Sequence, residues 1–547
     1  MGLFSLLGVG TKGLSMAQTG MDISSQNISN ADVEGYSRKR MNLEPDYRYD
    51  ATFGQMGFGV NVKNIERMRN TFIDQQIRRQ NHEVGYYEEM DQTLQRIENI
   101  FTEPSDTGLQ KYLDQFFDSW QNLANNPADL SARTMVKTSA EILTDVFHNL
   151  AKELIDLRNT RNDEIRDRVE QVNKISKEIF NLNQEIATVE ITRQNANDSR
   201  DKRDKLLKDL AKLIDIDVTE NELGQITVTT AGNIIVSPAY QQDIEETSGV
   251  RTLPDGTTIS DISLRFADSK KPYIPLNGQI KGLFDTRDIV IPSYQQKLDE
   301  LAKALAEKVN QIHSTGFSLK GYSGVLFFDP NFTGASDISL SASILSDVRN
   351  IAAATGGQML AFVEPAPISL TFGNPPVSLS HRNILYNSVR VTAGSTVLVE
   401  NTDYVINYSL GTIQMLHSGY DGTPLNIEYS YTDGSFKGPG DNANAIAIAQ
   451  LRKTMTMNND VLGNPTATFG DFYGSFIGEL GLNRNEASSN LESRTFLIKQ
   501  YEAQQESIAG VSLDEEMSNI IKFQHMFAAS ARLISVTSEM LDTLIKM

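Results

Sequence analysis

The sequence predicts a mixed, multidomain fold in which discontinuous α-helical terminal domains enclose inserted β-rich domains. Three observations carry that prediction. Apolar residues recur at three- and four-residue intervals at both chain ends and along much of the interior. The interval drops to two in two internal stretches. A chain of 547 residues is also too long for one hydrophobic core and calls for about three to four domains.

The N-terminal stripe runs Leu3, Leu7, Leu14, Ala17, Met21 and Ile28, interrupted at Gly10 and Ser24. Its C-terminal counterpart runs Leu513, Met517, Ile520, Phe527, Ala531, Ile534, Leu541 and Ile545, interrupted at Gln524 and Ser538. Each predicts a helix about 45–50 Å long, and together they are the expected subunit-interface residues of a coiled-coil domain. Gly8, Gly10, Gly13 and Gly20 lie in the first stripe. Each costs about 1 kcal/mol against alanine inside a helix, so these ends are expected to order only on assembly.

Further in, Tyr87, Met90, Leu94, Ile97 and Phe101 keep helical spacing. So do Val172, Ile175, Ile179, Leu182, Ile186 and Val189, within a charged stretch from 140 to 213 that predicts one or two very long helices. Leu298, Leu301, Leu305 and Val309 place another helix over Tyr294–His313. Ile226–Thr230 and Ile234–Val236 flank a turn at Ala231-Gly232-Asn233 and read as a β-hairpin. From Pro365 to Tyr431, alternating runs such as Val389–Thr392 and Leu425–Tyr429 predict a self-contained β-sandwich. Gly356-Gly357 and Gly434–Gly440 are its expected linkers. The division is then 1–45 with 505–547 as the terminal coiled coil, and 46–215 with 285–360 and 436–504 as the helical domain. Residues 216–284 form a β-rich domain and 361–435 the inserted sandwich. Both termini lie at one end of an elongated molecule.

Chemistry is scarce. There are 70 acidic against 50 basic residues, a formal charge of −20, which disfavours nucleic acid and anionic membrane as partners. Cysteine is absent, excluding disulfides and thiol chemistry. Gly8-Val9-Gly10-Thr11-Lys12-Gly13 matches G-x-G-x-x-G, but too few residues precede it for the strand a dinucleotide site needs. The six histidines are widely separated. Asn30 to Gly35 resembles the start of a calcium loop, but Met41 stands where its glutamate belongs. Asp514-Glu515-Glu516 fall in the first turn of the C-terminal helix and complement its dipole. The reading expects no catalytic, cofactor or metal residues and no enzyme activity. No apolar run approaches the roughly 18 residues of a membrane span. The N-terminal segment lacks the marks of a cleaved signal peptide.

Gln26-Asn27-Ile28-Ser29-Asn30 followed by Gly35-Tyr36-Ser37-Arg38 resembles the N-terminal signature of the flagellar axial protein family. The Tyr-Ser-Arg form is similar to its hook-associated members more than to the hook protein. Ser512–Met517 through Met540–Leu544 resembles that family's C-terminus. Phe116–Ala124 with Asn126-Pro127, Arg200–Asp204, Gly282-Leu283 with Arg287-Asp288, Leu298–Ala302, Val309-Asn310 with His313, and Gly440–Ala445 follow in the family's order. The likeness leaves out about 360–435. Packing accounts for several blocks: Trp120 as an anchor between helices, Gly35 as a turn, and Arg200–Asp204 as a salt-bridged helix face worth little by itself.

The resemblance implies a structural subunit at the junction of flagellar hook and filament, exported by the type III route and located outside the cell. It implies as partners other copies of the chain, hook protein, a second junction protein and an export chaperone at the C-terminal helix. Two alternatives stand beside it. One is an extracellular binding module using exposed aromatics of the inserted domain, Tyr404, Tyr408, Tyr420, Tyr429 and Tyr431, which alternating core tyrosines explain equally well. The other is a hook or rod protein.

Overall fold

A computed structural model of the chain describes residues 3–50, 54–102, 108–192, 194–252, 258–321, 323–355, 359–385, 388–408, 410–432, 437–459 and 463–546. The helices are α1 (Leu3–Ser29), α2 (Thr71–Phe101), α3 (Leu109–Asn125), α4 (Leu130–Glu190), α5 (Asn197–Leu213), α6 (Gly278–Asp285), α7 (Ile291–Thr315), α8 (Ala342–Ser346), α9 (Ala443–Gln450), α10 (Phe469–Ala509) and α11 (Leu513–Lys546). All the helical ladders of the sequence fall within them. Side-chain caps set several of their starts. Asn70 accepts from the amides of Phe72 and Ile73, Asp129 from Ser131, and Thr468 with Asp471 closes a capping box on α10. Pro292 lacks an amide hydrogen, and a π-turn over Thr286–Val290 lies directly before it, joining α6 to α7.

The first strands, β1 (Lys39–Asp50) and β2 (Gly54–Arg67), form an antiparallel hairpin that the sequence reading did not anticipate. Two register shifts bend it. The boundary expected between 45 and 46 falls inside β1, where Pro45 pairs with Val60, and that between 504 and 505 falls inside α10.

Next come β3 (Asp217–Glu220), β4 (Ile226–Thr230), β5 (Asn233–Val236), β6 (Ile244–Thr252), β7 (Thr258–Phe266) and β8 (Pro272–Tyr273), in two three-stranded sheets. β4 and β5 are the hairpin expected at 226–236. Ala231 and Gly232 both take positive φ there, as its turn requires. These sheets share one core with helices: Val228, Val236, Ile262 and Phe266 pack with Ile165, Val172, Leu210 and Ile280 of α4, α5 and α6. A second core joins α2, α3, α4, α7, α9 and α10 around Trp120, which is fully buried among Phe116, Phe327 and His313. The short pair β9 (Phe317–Ser318) and β10 (Ala352–Ala354) closes this core.

The inserted segment holds β11 (Met359–Val363), β12 (Ile368–Ser369), β13 (Val377–Ser378), β14 (Arg390–Ala393), β15 (Thr396–Val397), β16 (Tyr404–Asn407), β17 (Thr412–Met415) and β18 (Pro424–Thr432). A five-stranded and a three-stranded sheet enclose a core of their own, with Val391 and Ile427 on one side and Ile406 and Ile413 on the other. β19 (Met457–Asn459) and β20 (Pro465–Ala467) then lead into α10. Gly356, Gly357 and Gly434 of the expected linkers lie outside the described residues. Of the two readings of the tyrosines, the structure favours the core over an aromatic binding face. Tyr404, Tyr408 and Tyr429 are buried, and Tyr420 and Tyr431 are half-buried against the same core. Alternation along β16 turns Tyr404 and Ile406 inward and leaves Val405 and Asn407 outside.

Candidate functional site: the terminal helix pair and its joint

α1 and α11 lie antiparallel, and their closest approach runs along small residues. A Cβ at Gly10 would sit against Ile534 (2.7 Å), at Gly13 against Ser530 (2.5 Å) and at Gly20 against Phe523 (2.6 Å). With Ala17, Ser24 and Asn27, all buried, these residues form one line at alternating three- and four-residue steps. A Cβ at Gly8 would meet the ring of Phe58 on β2. The glycines are therefore the seam of the pair. Their poor helix propensity is offset by the backbone approach they permit.

The structure divides the expected interface residues. Ala17 lies in the seam, fully buried. Leu3, Leu7, Leu14, Met21 and Ile28 are half-buried, the last four along a single seven-residue line beside it. On α11, Ile520, Phe527, Ala531, Ile534 and Leu541 are half-buried, while Leu513, Met517 and Ile545 are exposed. Phe4, Ile521, Val536, Met540 and Leu544 add to that uncovered apolar surface. The residues missed by the sequence reading are Gly10, Gly13 and Gly20 as contacts, although their spacing was visible.

Where the pair meets the body, an ionic joint gathers residues from α1, α2, α5, α10, α11 and both ends of the β1–β2 hairpin. The Ser37 amide and hydroxyl both donate to Asp201 of α5 (3.0 and 2.7 Å). Arg67, at the end of β2, bridges Asp201 (2.8 Å) and Asp204 (2.6 Å). Arg69 donates to both oxygens of Asp74 on α2 (2.7 and 2.9 Å) and to the Ser37 hydroxyl (3.2 Å). Arg38 donates its amide to the Ala509 carbonyl and its guanidinium to Glu515 and Glu516 of α11. Asn27 of α1 is bonded in both directions to the Lys39 backbone. Burial alone would raise the Asp204 carboxyl, but Arg67, Arg69 and Arg203 hold it below its ordinary value. The segment Arg200–Asp204, expected to be a salt-bridged helix face worth little by itself, is thus corrected in its weight. Asp201, Arg203 and Asp204 are buried, where losing one partner leaves the other charge unpaired.

Among the described residues, no group of three or more His, Asp or Glu is placed to hold a metal ion, and no helix is long and apolar enough to cross a membrane.

Comparison with known proteins gives a consistent result. Residues 94–328 match the flagellar hook-associated protein FlgK helical domain, and residues 504–547 the flagellar basal body rod FlgEFG protein C-terminal family. The chain is 27% identical to Flagellar hook-associated protein 1 of Bacillus subtilis, over 98% of this chain and 96% of that protein. It is 26% identical to the protein of the same name from Salmonella typhimurium and 24% to that from Escherichia coli, over 99% of both chains in each case. The solved structure of the flagellar hook junction protein FlgK from Burkholderia pseudomallei shares the fold. Its TM-score is 0.54 at 17% identity, covering 79% of this chain and 100% of that one.

Proposed function

The chain belongs to the flagellar hook-associated protein 1 family, and on that premise we propose that it is a structural subunit joining the flagellar hook to the filament. The observation that carries this reading is similarity along the whole chain to proteins of that name. In this role it is not an enzyme. Its working surfaces are the two ends: the glycine seam sets the α1–α11 pair, and the apolar side chains left uncovered beside it pack against neighbouring copies. Assembly then supplies the burial that orders the pair, at about 1.5–3 kcal/mol for each large apolar side chain covered. The chain reaches the outside through the flagellar type III channel, guarded before export by a chaperone on the C-terminal helix. Hook protein lies on one side of it and a second junction protein on the other.

Antibody labelling of isolated appendages tests the location directly, with label expected only at the hook–filament boundary. Cells lacking the chain are expected to build complete hooks and to shed filament protein into the medium. Arrested hook growth would instead indicate a hook or rod subunit. Limited proteolysis of the purified monomer tests ordering on assembly, and stable protection of 1–35 and 512–547 there would sink that part.

A further inference from the structure

We propose that the cavity beside the ionic joint receives a carboxylate side chain from a neighbouring copy of this chain, with Arg78 as its counter-ion. The inference rests on the assembly reading above. The cavity holds about 480 Å³ and is lined by Arg67, Asp74, Arg78, Arg203 and Asp204, with Phe72 at its edge. Its own three carboxylates are committed: Asp74 to Arg69, Asp204 to Arg67, and Glu220, which also lines it, to Arg200. Arg203 directs Nη1 to Asn183 and the Gly224 carbonyl, and its buried Nε has no acceptor among the described residues. Arg78 makes neither a hydrogen bond nor an ion pair among the described residues, although burial lowers its pKa and Asp74 and Asp204 only partly counter this. A guanidinium carries five donors in a planar fork that matches a carboxylate. Phe72 is 64% exposed, an apolar anchor beside that fork.

Charge identifies the occupant. Each copy carries −20, so neighbours repel at long range, and close packing requires local contacts of opposite sign. A second copy is rich in carboxylates, and this cavity adjoins the joint that holds the terminal pair.

The test places a photoreactive benzoyl group on residue 72 of the full chain in flagellated cells. On irradiation, an adduct between two copies is expected, with the captured peptide containing Asp or Glu. Arg78→Glu should reduce its yield per exported chain by roughly tenfold, and Arg78→Lys by less. An adduct to a different protein, no adduct, or a yield indifferent to Arg78→Glu would overturn the proposal. Antibody labelling of the same appendages separates the two failures. Chain present without the adduct removes this contact alone, whereas chain absent from the junction removes the assembly reading as well.

Discussion

Replacing Gly20 with alanine sets two effects against each other at one position. Inside a helix the change is worth about 1 kcal/mol in favour of α1. In the seam, the new Cβ would stand 2.6 Å from Cε1 and Cζ of Phe523. That is about 1 Å inside ordinary carbon contact. Overpacking of this kind costs about 1–3 kcal/mol, so the net effect is a loss of up to about 2 kcal/mol in docking of α11 on α1. Such a loss lowers the docked population by up to roughly 30-fold. Swimming of cells carrying Gly20→Ala, scored beside the amount of chain exported, reports it: reduced motility at undiminished export is expected. Phe523→Leu should recover part of the motility in the double variant, because the two residues occupy the same space. Gly20→Ala cells that swim as well as the parent would refute the seam argument and leave weak helicity as the glycines' only role.

Gly474 and Gly478 of α10 provide the contrast, because a Cβ at either meets nothing within 4 Å. Alanine there should stabilise the monomer by about 1 kcal/mol each in urea unfolding. Asp201→Asn removes a buried charge between Arg67 and Arg69, and should cost about 3–5 kcal/mol locally. Amide exchange should quicken at residues 36–39 and remain slow around Trp120. His313 is buried, with its ring nitrogens bonded to the Val325 carbonyl and the Ala352 amide, and burial lowers its pKa from 6.5 to about 4. The unfolded chain therefore takes up a proton first. The contribution of His313 is complete above about pH 6.5 and lost as pH falls toward 4, by up to about 3 kcal/mol. Urea midpoints across that window should slope less in His313→Gln than in the parent, the remaining slope including His82, which burial also lowers to about 4. Trp120→Ala empties the centre of the larger core and should cost about 3–5 kcal/mol by circular dichroism.

Elements with a single clear period were legible in the sequence. Leu298, Leu301, Leu305 and Val309 mark one buried face of α7, and Ile226 to Val236 form the expected hairpin. Trp120 is the core anchor its setting suggested. The β1–β2 hairpin was hidden because its strands mix charges, Pro45 and several glycines, and its pairing partners are set by tertiary contact rather than by alternation. The seam was misread because glycine was weighed only for its backbone entropy, whereas close approach depends on the partner helix, hundreds of residues away. Arg200–Asp204 was undervalued for the same reason: the charges that bury it, Arg67 and Arg69, come from another element. The tyrosines of the inserted domain were left open between surface and core because strand alternation gives two faces without saying which one is covered.

One consequence follows from α4, an unbroken helix of 61 residues whose first half lies in the core around Trp120 and whose second half lies in the core beneath the β-sheets. At about 1.5 Å per residue it runs some 90 Å without a break. The two cores therefore share a shaft and cannot swivel about each other without bending it. A twist applied at one end of the body is delivered to the other through a single hydrogen-bonded ladder, with no slack to take up. The inserted sandwich, whose core lies off that shaft, is spared the load.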